Sequence, residues 1–159
     1  MTKLMPKFEQ HRTDFAYCQT ITKRSSSAFY TAFSQLPLER AWSIYAVYAF
    51  CRTADDLVDV DHDIDGLMAL RQSLTTFANG HVPDHPMWRA LAVVFETYDM
   101  NLDVFFDMLT GQEQDATFKQ PQTQQALEDY CYYVAGSVGL MILPMLATNP
   151  QSLVKPAVE

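Results

Sequence analysis

One run of residues limits what this chain can fold into: Ala41 to Asp61, AWSIYAVYAFCRTADDLVDVD. Trp42, Ile44, Val47, Phe50, Leu57 and Val58 are interleaved with Ala and Cys, and neither Gly nor Pro interrupts, so the run predicts a helix. Apolar residues fall on nearly every side, the pattern of a helix inside a bundle rather than on its surface. Its polar residues are correspondingly conspicuous. Tyr48, Arg52, Asp55, Asp56 and Asp59 follow at steps of four, three, one and three, so they share one stripe. A polar stripe on a buried helix predicts a polar cavity beside it.

The like charges narrow what that cavity holds. Asp55 and Asp59, four residues apart, repel by only about 0.2–0.5 kcal/mol on a wet helix surface. Desolvated, each carboxylate costs on the order of several kcal/mol unless something compensates, and Arg52 alone cannot neutralise three. Carboxylates on one helical face, with room for water, suit Mg2+, which takes hard oxygen ligands and completes its sphere with substrate phosphates. The competing reading is an acidic helix end that runs out into a solvated turn at Asp61, His62, Asp63 and Asp65.

Composition removes other classes. A chain of 159 residues, 48% hydrophobic with 10 Phe, 8 Tyr and 8 Met, fits one globular domain spanning residues 1–159. A net charge of -8 argues against nucleic acid, which is bound through clustered Lys and Arg. Cys18, Cys51 and Cys131 are odd in number and lie in apolar helical contexts, which predicts reduced core thiols in a cytoplasmic protein. The N-terminus, MTKLMPKFEQHR, is too polar for a signal peptide. The uncharged run between Asp129 and Lys155 holds Gly136, Gly139, Pro144 and clustered tyrosines, and reads as a buried helix facing a cavity rather than a membrane span.

Elsewhere the pattern is helical throughout. Helices are predicted over Phe8–Ile21, from the Ser25–Ser27 cluster into Ala28–Phe33, over Leu67–Phe77, over Met87–Met100, from Asn101 to about Asp115, and from Gln124 to about Leu143, where Pro144 bends or ends the last one. Residues Thr117–Thr123 read as a linker, and Asn79-Gly80 as a helix stop. Lys23 and Arg24 followed by Ser25, Ser26 and Ser27 make a candidate diphosphate site, with ordinary serine capping as the alternative. Asp103 and Asp107 share a face opposite Leu102, Phe105, Phe106 and Leu109 and read as a solvated acidic face. His81 and His85 are separated by Pro83 and cannot share a helical face as a metal pair. Tyr130, Val134, Val138 and Met141 follow a helical stripe that suits either a tyrosine-headed apolar trough or ordinary core.

At several of these segments the chain resembles the squalene and phytoene synthase family. Tyr48-Ala-Phe-Cys-Arg52-Thr-Ala-Asp55-Asp56-Leu-Val-Asp59 is similar to the family's first aspartate-rich motif, most closely in its bacterial dehydrosqualene (diapophytoene) synthase form. Ser25–Phe33 resembles the diphosphate-contacting segment, with Ser26 on its first serine and Ala28 where the second hydroxyl would stand. Phe105-Phe-Asp-Met-Leu109-Thr-Gly111-Gln-Glu-Gln-Asp115 and Tyr130-Cys-Tyr-Tyr-Val134-Ala135-Gly136-Ser-Val138-Gly139 resemble two further family segments.

The resemblance implies an all-α isoprenoid-synthase bundle and head-to-head coupling of two prenyl diphosphates. It implies Mg2+ on Asp55 and Asp59 with Asp56 beside them, and diphosphate contacts from Tyr48, Arg52 and Tyr130. Ser25, Ser26, Ser27, Ala28 and Asp115 would line the diphosphate end. Phe29, Phe33 and Tyr45 would wall the site, and Val134, Ala135, Val138 and Gly139 would follow the prenyl tail. Bulky Phe33 and Tyr45 favour farnesyl diphosphate, coupled through presqualene diphosphate to dehydrosqualene in carotenoid biosynthesis. The alternatives are phytoene synthesis from geranylgeranyl diphosphate, or a non-catalytic helical interaction protein of the same fold. The resemblance covers the first half of the family's fold, and nothing after Asn149 resembles the second aspartate-rich motif. The expectation is therefore a truncated chain whose activity alone is in doubt, with apolar surface open to self-association and with peripheral membrane contact during product release.

Overall fold

The computed structural model describes residues 5–60, 62–116, 124–125 and 137–146, with backbone alone at 59, 114–116 and 137–138. Its helices are α1 (Pro6–Gln10), α2 (Arg12–Ser25), α3 (Ser27–Phe33), α4 (Leu38–Asp59), α5 (Ile64–Ala78), α6 (Pro86–Thr97), α7 (Leu102–Ala116) and α8 (Ser137–Leu146). Among the described residues there is no strand, and the fold is the all-α bundle that the apolar periodicity requires. No described helix is long and apolar enough to cross a membrane.

Helix α4 is the axis. It packs against α2, α3, α5, α6, α7 and α8. Between Ala41 and Cys51 every side chain but that of Tyr48 is buried, and the burial continues through Ala54 and Val58. A ring ladder carries the core outward. Phe50 meets Trp88 edge-on at 5.9 Å and Phe105 at 5.2 Å, and Trp42 stacks on Phe15 at 5.5 Å, which in turn stacks on Phe8 at 5.1 Å. Offset and edge-to-face pairs of this kind each add about 0.5–1.5 kcal/mol beyond their area burial.

Several boundaries differ from the sequence expectation, each for a local reason. The first helix is two helices, because His11 leaves helical geometry (φ -110°, ψ 26°) and its ring turns onto Asp14, Nδ1 to Oδ2 2.8 Å. Ser25 ends α2 instead of starting α3. The turn belongs to Ser26, whose Oγ accepts from the Phe29 N–H at 3.2 Å. Helix α5 starts at Ile64 rather than Leu67, since the Asp63 carboxylate caps it by accepting from Gly66 N–H at 2.8 Å. It stops at Asn79-Gly80 as expected, with Gly80 at φ +93° and the His81 N–H returning to the Thr76 carbonyl, the paired bonds of a glycine-terminated helix. Helix α6 ends at Thr97, not Met100, where Tyr98 becomes extended. Asn101 caps α7 as expected, accepting from Asp103 N–H at 2.9 Å. Pro144 lies inside α8 rather than ending it. The expected linker at 117–123 and the N-terminal part of the last expected helix lie outside the described residues.

One charged cluster in the bundle carries no sequence signature. Asp14 is buried between α2 and α6, with Oδ2 on His11 and Oδ1 accepting from Arg89 Nε at 3.1 Å. Arg89 then reaches the exposed Asp84 at 2.5 Å. Removing a charged partner from a buried hydrogen bond costs about 1.5–3 kcal/mol, whereas a fully solvated partner contributes about 0–1 kcal/mol. Urea denaturation of Asp14→Asn should therefore show a loss of about 1.5–3 kcal/mol, while Asp84→Asn stays within about 0.5 kcal/mol of the parent chain.

Candidate active site

The polar stripe of α4 is where the helix loses its cover. Tyr48 and, one turn on, Arg52, Asp55 and Asp56 are half-buried, as are Thr53 and Leu57, whereas Ala49, Phe50, Cys51, Ala54 and Val58 are buried. Arg52 Nη2 lies 2.9 Å from Asp56 Oδ1, an ion pair one helical turn apart. The contact is too poorly aligned for a hydrogen bond. Arg52 Nε and Asp56 Oδ1 are consequently both buried without a hydrogen-bond partner. The two side chains are 35% and 44% exposed, so solvent offsets part of the cost of leaving these atoms without a hydrogen bond.

Asp55 is held from another helix. The Gln112 side chain on α7 donates from Nε2 to Asp55 Oδ1. Asp59 continues the same stripe in backbone register, and its side chain is not among those described. Among the described residues no three His, Cys, Asp or Glu side chains converge as a metal cluster.

The wall beside the stripe is aromatic. Helix α3 lays Phe29 against Tyr48 with ring centroids 4.6 Å apart and against Phe33 at the same 4.6 Å. Tyr30 stacks on Tyr45 at 5.3 Å, and the Tyr45 hydroxyl donates to the Tyr30 carbonyl at 3.4 Å. Burial pushes the Tyr48 phenol above its ordinary pKa; the Arg52 charge opposes this and the Asp55 charge adds to it. Burial, with a smaller contribution from Tyr30, raises Tyr45 likewise. Both phenols stay protonated at neutral pH, so each keeps an O–H to donate.

The structure thus brings together Tyr48, Arg52, Asp55 and Asp56 with Phe29, Phe33 and Tyr45. Ser25, Ser26, Ser27 and Ala28 form the α2–α3 junction, where Ser26 caps, and Lys23 sits 5.6 Å over the Tyr30 ring. Asp115 lies on the last turn of α7 and Val138 on the first turn of α8, each as backbone alone. A Cβ built on Gly139 would meet nothing within 4 Å, so packing of the described residues does not require glycine there. Tyr130, Val134 and Ala135 lie outside the described residues. On the opposite face of α4, Thr53 and Leu57 help line a cavity of about 240 Å3 with Tyr17 and His85, remote from the carboxylates. The His85 Nδ1 accepts from Met87 N–H at 3.2 Å, which caps α6.

Comparison with known proteins shows the family and the fold. The squalene/phytoene synthase family signature matches residues 22–159. The chain is 35% identical over 145 residues to a 4,4'-diapophytoene synthase of Staphylococcus haemolyticus, covering 86% of this chain and 50% of that protein. It is 32% identical over 146 residues to a phytoene synthase of Arthrospira platensis, covering 89% and 47%. A crystal structure of a dehydrosqualene synthase in complex with ligand superposes with a TM-score of 0.90 at 57% identity, covering 95% of this chain and 53% of that one. The chain therefore spans about half the length of the relatives it matches.

Gln112 and the buried Asp14 cluster escaped sequence reasoning. Gln112 stands inside the quoted Phe105–Asp115 segment, but a lone Gln on a helix carries no periodic signal, and only the α4–α7 packing shows what it touches. Cys51, within the motif, is fully enclosed, with its Sγ 3.7 Å from Met141 Sδ, and burial raises its thiol well above the ordinary range, as it does for Cys18. In a Cys131→Ser background, a thiol-reactive chromogen at pH 8 should leave both cysteines unmodified in the native chain and label both in denaturant. The match over residues 22–159 identifies the chain, with its half-buried Tyr48, Arg52, Asp55 and Asp56 faced by aromatic rings, as a member of the squalene/phytoene synthase family.

Proposed function

We propose that this chain carries the first aspartate-rich side of a prenyltransferase site that couples two farnesyl diphosphates head-to-head to dehydrosqualene. The observation that supports it best is the pair of unsatisfied buried atoms on one stripe, Arg52 Nε and Asp56 Oδ1, next to a wall of Phe29, Phe33 and Tyr48. A guanidinium N–H lacking an acceptor suits a phosphate oxygen, and a carboxylate oxygen lacking a donor suits a hard cation. The donor set is all oxygen on this stripe, which fits Mg2+ better than softer metals. Bound between Asp55, Asp56 and Asp59, Mg2+ would supply the Lewis acidity that neutralises diphosphate as it departs.

The chain's own residues do the remaining work. Arg52 would bind a diphosphate oxygen, and the protonated Tyr48 hydroxyl, held above its usual pKa, would donate to the same group. Phe29, Phe33 and Tyr45 would exclude water from the allylic cation left when a C–O bond breaks. Over the full reaction two C15 units join, two diphosphates leave with their bonding electron pairs, and two protons are lost to give the C30 polyene. The tight Phe29–Phe33 contact and the Tyr30–Tyr45 stack narrow the apolar end, which favours a C15 donor over C20. Two buried, unpaired thiols suit the reducing cytoplasm, and the hydrocarbon product gives a reason for peripheral contact with a bilayer.

Incubation of the chain with farnesyl diphosphate and Mg2+, with extraction of C30 hydrocarbon and assay of released diphosphate, tests the proposal. Binding of farnesyl diphosphate is expected from the chain as isolated or as an oligomer, and any C30 product should fall at least about 100-fold in Asp55→Asn, since one carboxylate proposed to hold the metal is removed. Binding of farnesyl diphosphate without turnover, lost in Arg52→Met, would favour a non-catalytic member of the same fold. No binding and no product from a folded chain would refute the assignment.

A further inference from the structure

We propose that Gln112 is a positioning residue for Asp55: it holds one carboxylate oxygen from α7 and thereby fixes the plane in which Asp55 is presented. The inference rests on the divalent-cation reading above and adds to it a residue from outside the aspartate stripe. Gln112 is only 8% exposed, and the buried hydroxyls of this bundle have plain local uses, unlike Asp14, which meets Arg89 across α2 and α6. The Thr22 and Ser43 hydroxyls donate to carbonyls four residues back on their own helices. Gln112 instead crosses a helix interface to a carboxylate.

The direction of that bond is fixed by chemistry. An ionised carboxylate can only accept, so the contact at Asp55 Oδ1 must come from the Gln112 amide N–H. An aspartate's terminal torsion is otherwise broad, and a donor on Oδ1 selects one plane for the carboxylate. The donor itself is placed rigidly. Gln112 lies two helical turns after Phe105, which packs on Phe50 of α4, and the next residue, Glu113, is clamped to α5 by Arg71 Nε at 2.7 Å. Partners that orient metal ligands in this way are worth about 10–100-fold in metal affinity or activity.

The test uses the 159-residue chain, with Mn2+ standing for the hard cation and its binding followed by electron paramagnetic resonance. Gln112→Met keeps the length of the side chain and removes the donor. It should weaken Mn2+ binding about 10-fold or more while the thermal midpoint stays near that of the parent chain. Independently, in metal-free parent chain, the Gln112 side-chain amide should give a shifted, slowly exchanging pair of proton resonances that moves in Asp55→Asn. Unchanged Mn2+ affinity in a folded Gln112→Met chain, or a Gln112 amide indifferent to Asp55→Asn, overturns the proposal. If Asp55→Asn itself leaves Mn2+ binding intact, the cation reading fails instead, and the amide spectrum alone decides whether Gln112 holds Asp55.

Discussion

Everything in this structure depends on burying one helix on all sides but one. Helix α4 makes contact with six other helices, and from Ala41 to Cys51 the enclosed side chains leave only Tyr48 partly open. Burying a Phe, Ile or Val side chain contributes roughly 1.5–3 kcal/mol, so this helix has a single tolerable register within the bundle. That register then dictates where Arg52, Asp55 and Asp56 emerge. The charges are not placed by their own attractions; the apolar faces force them to a common side.

Once there, they are only partly compensated. The Arg52–Asp56 pair is close but badly aligned, and two of its atoms stay unsatisfied. This pair, at the mouth of an aromatic wall, is what the proposed phosphate and cation site rests on. The opposite face of α4 shows the contrast: there Thr53 donates to the Ala49 carbonyl at 2.7 Å, and the nearby cavity holds no carboxylate.

Support comes from helices distant in sequence. Helix α3 contributes Phe29 to the Tyr48 ring, and α7 contributes Gln112 to Asp55. Helix α7 is in turn fixed from α5 through Arg71, which also reaches Thr110 Oγ1 at 3.2 Å and lies over the Phe106 ring. A site assembled this way is as rigid as the bundle, and the positions of its oxygens follow from core packing.

By itself the sequence determined the helical class, the central helix and the stripe from Tyr48 to Asp59, because a 3.6-residue period and the sign of charge are written directly in residue order. It also located the caps at Asn101 and at Asn79-Gly80, whose chemistry is local. Boundaries at His11, Ser26 and Asp63 were less legible, since a capping side chain can choose among adjacent turns and neighbouring helices bias that choice. Only tertiary structure decided that Gln112 meets Asp55 across 57 residues of chain, that Asp14 is sealed between His11 and Arg89, and that Phe29 rests on Tyr48. These are contacts between helices, and no local periodicity encodes which side chain of one helix will face which of another.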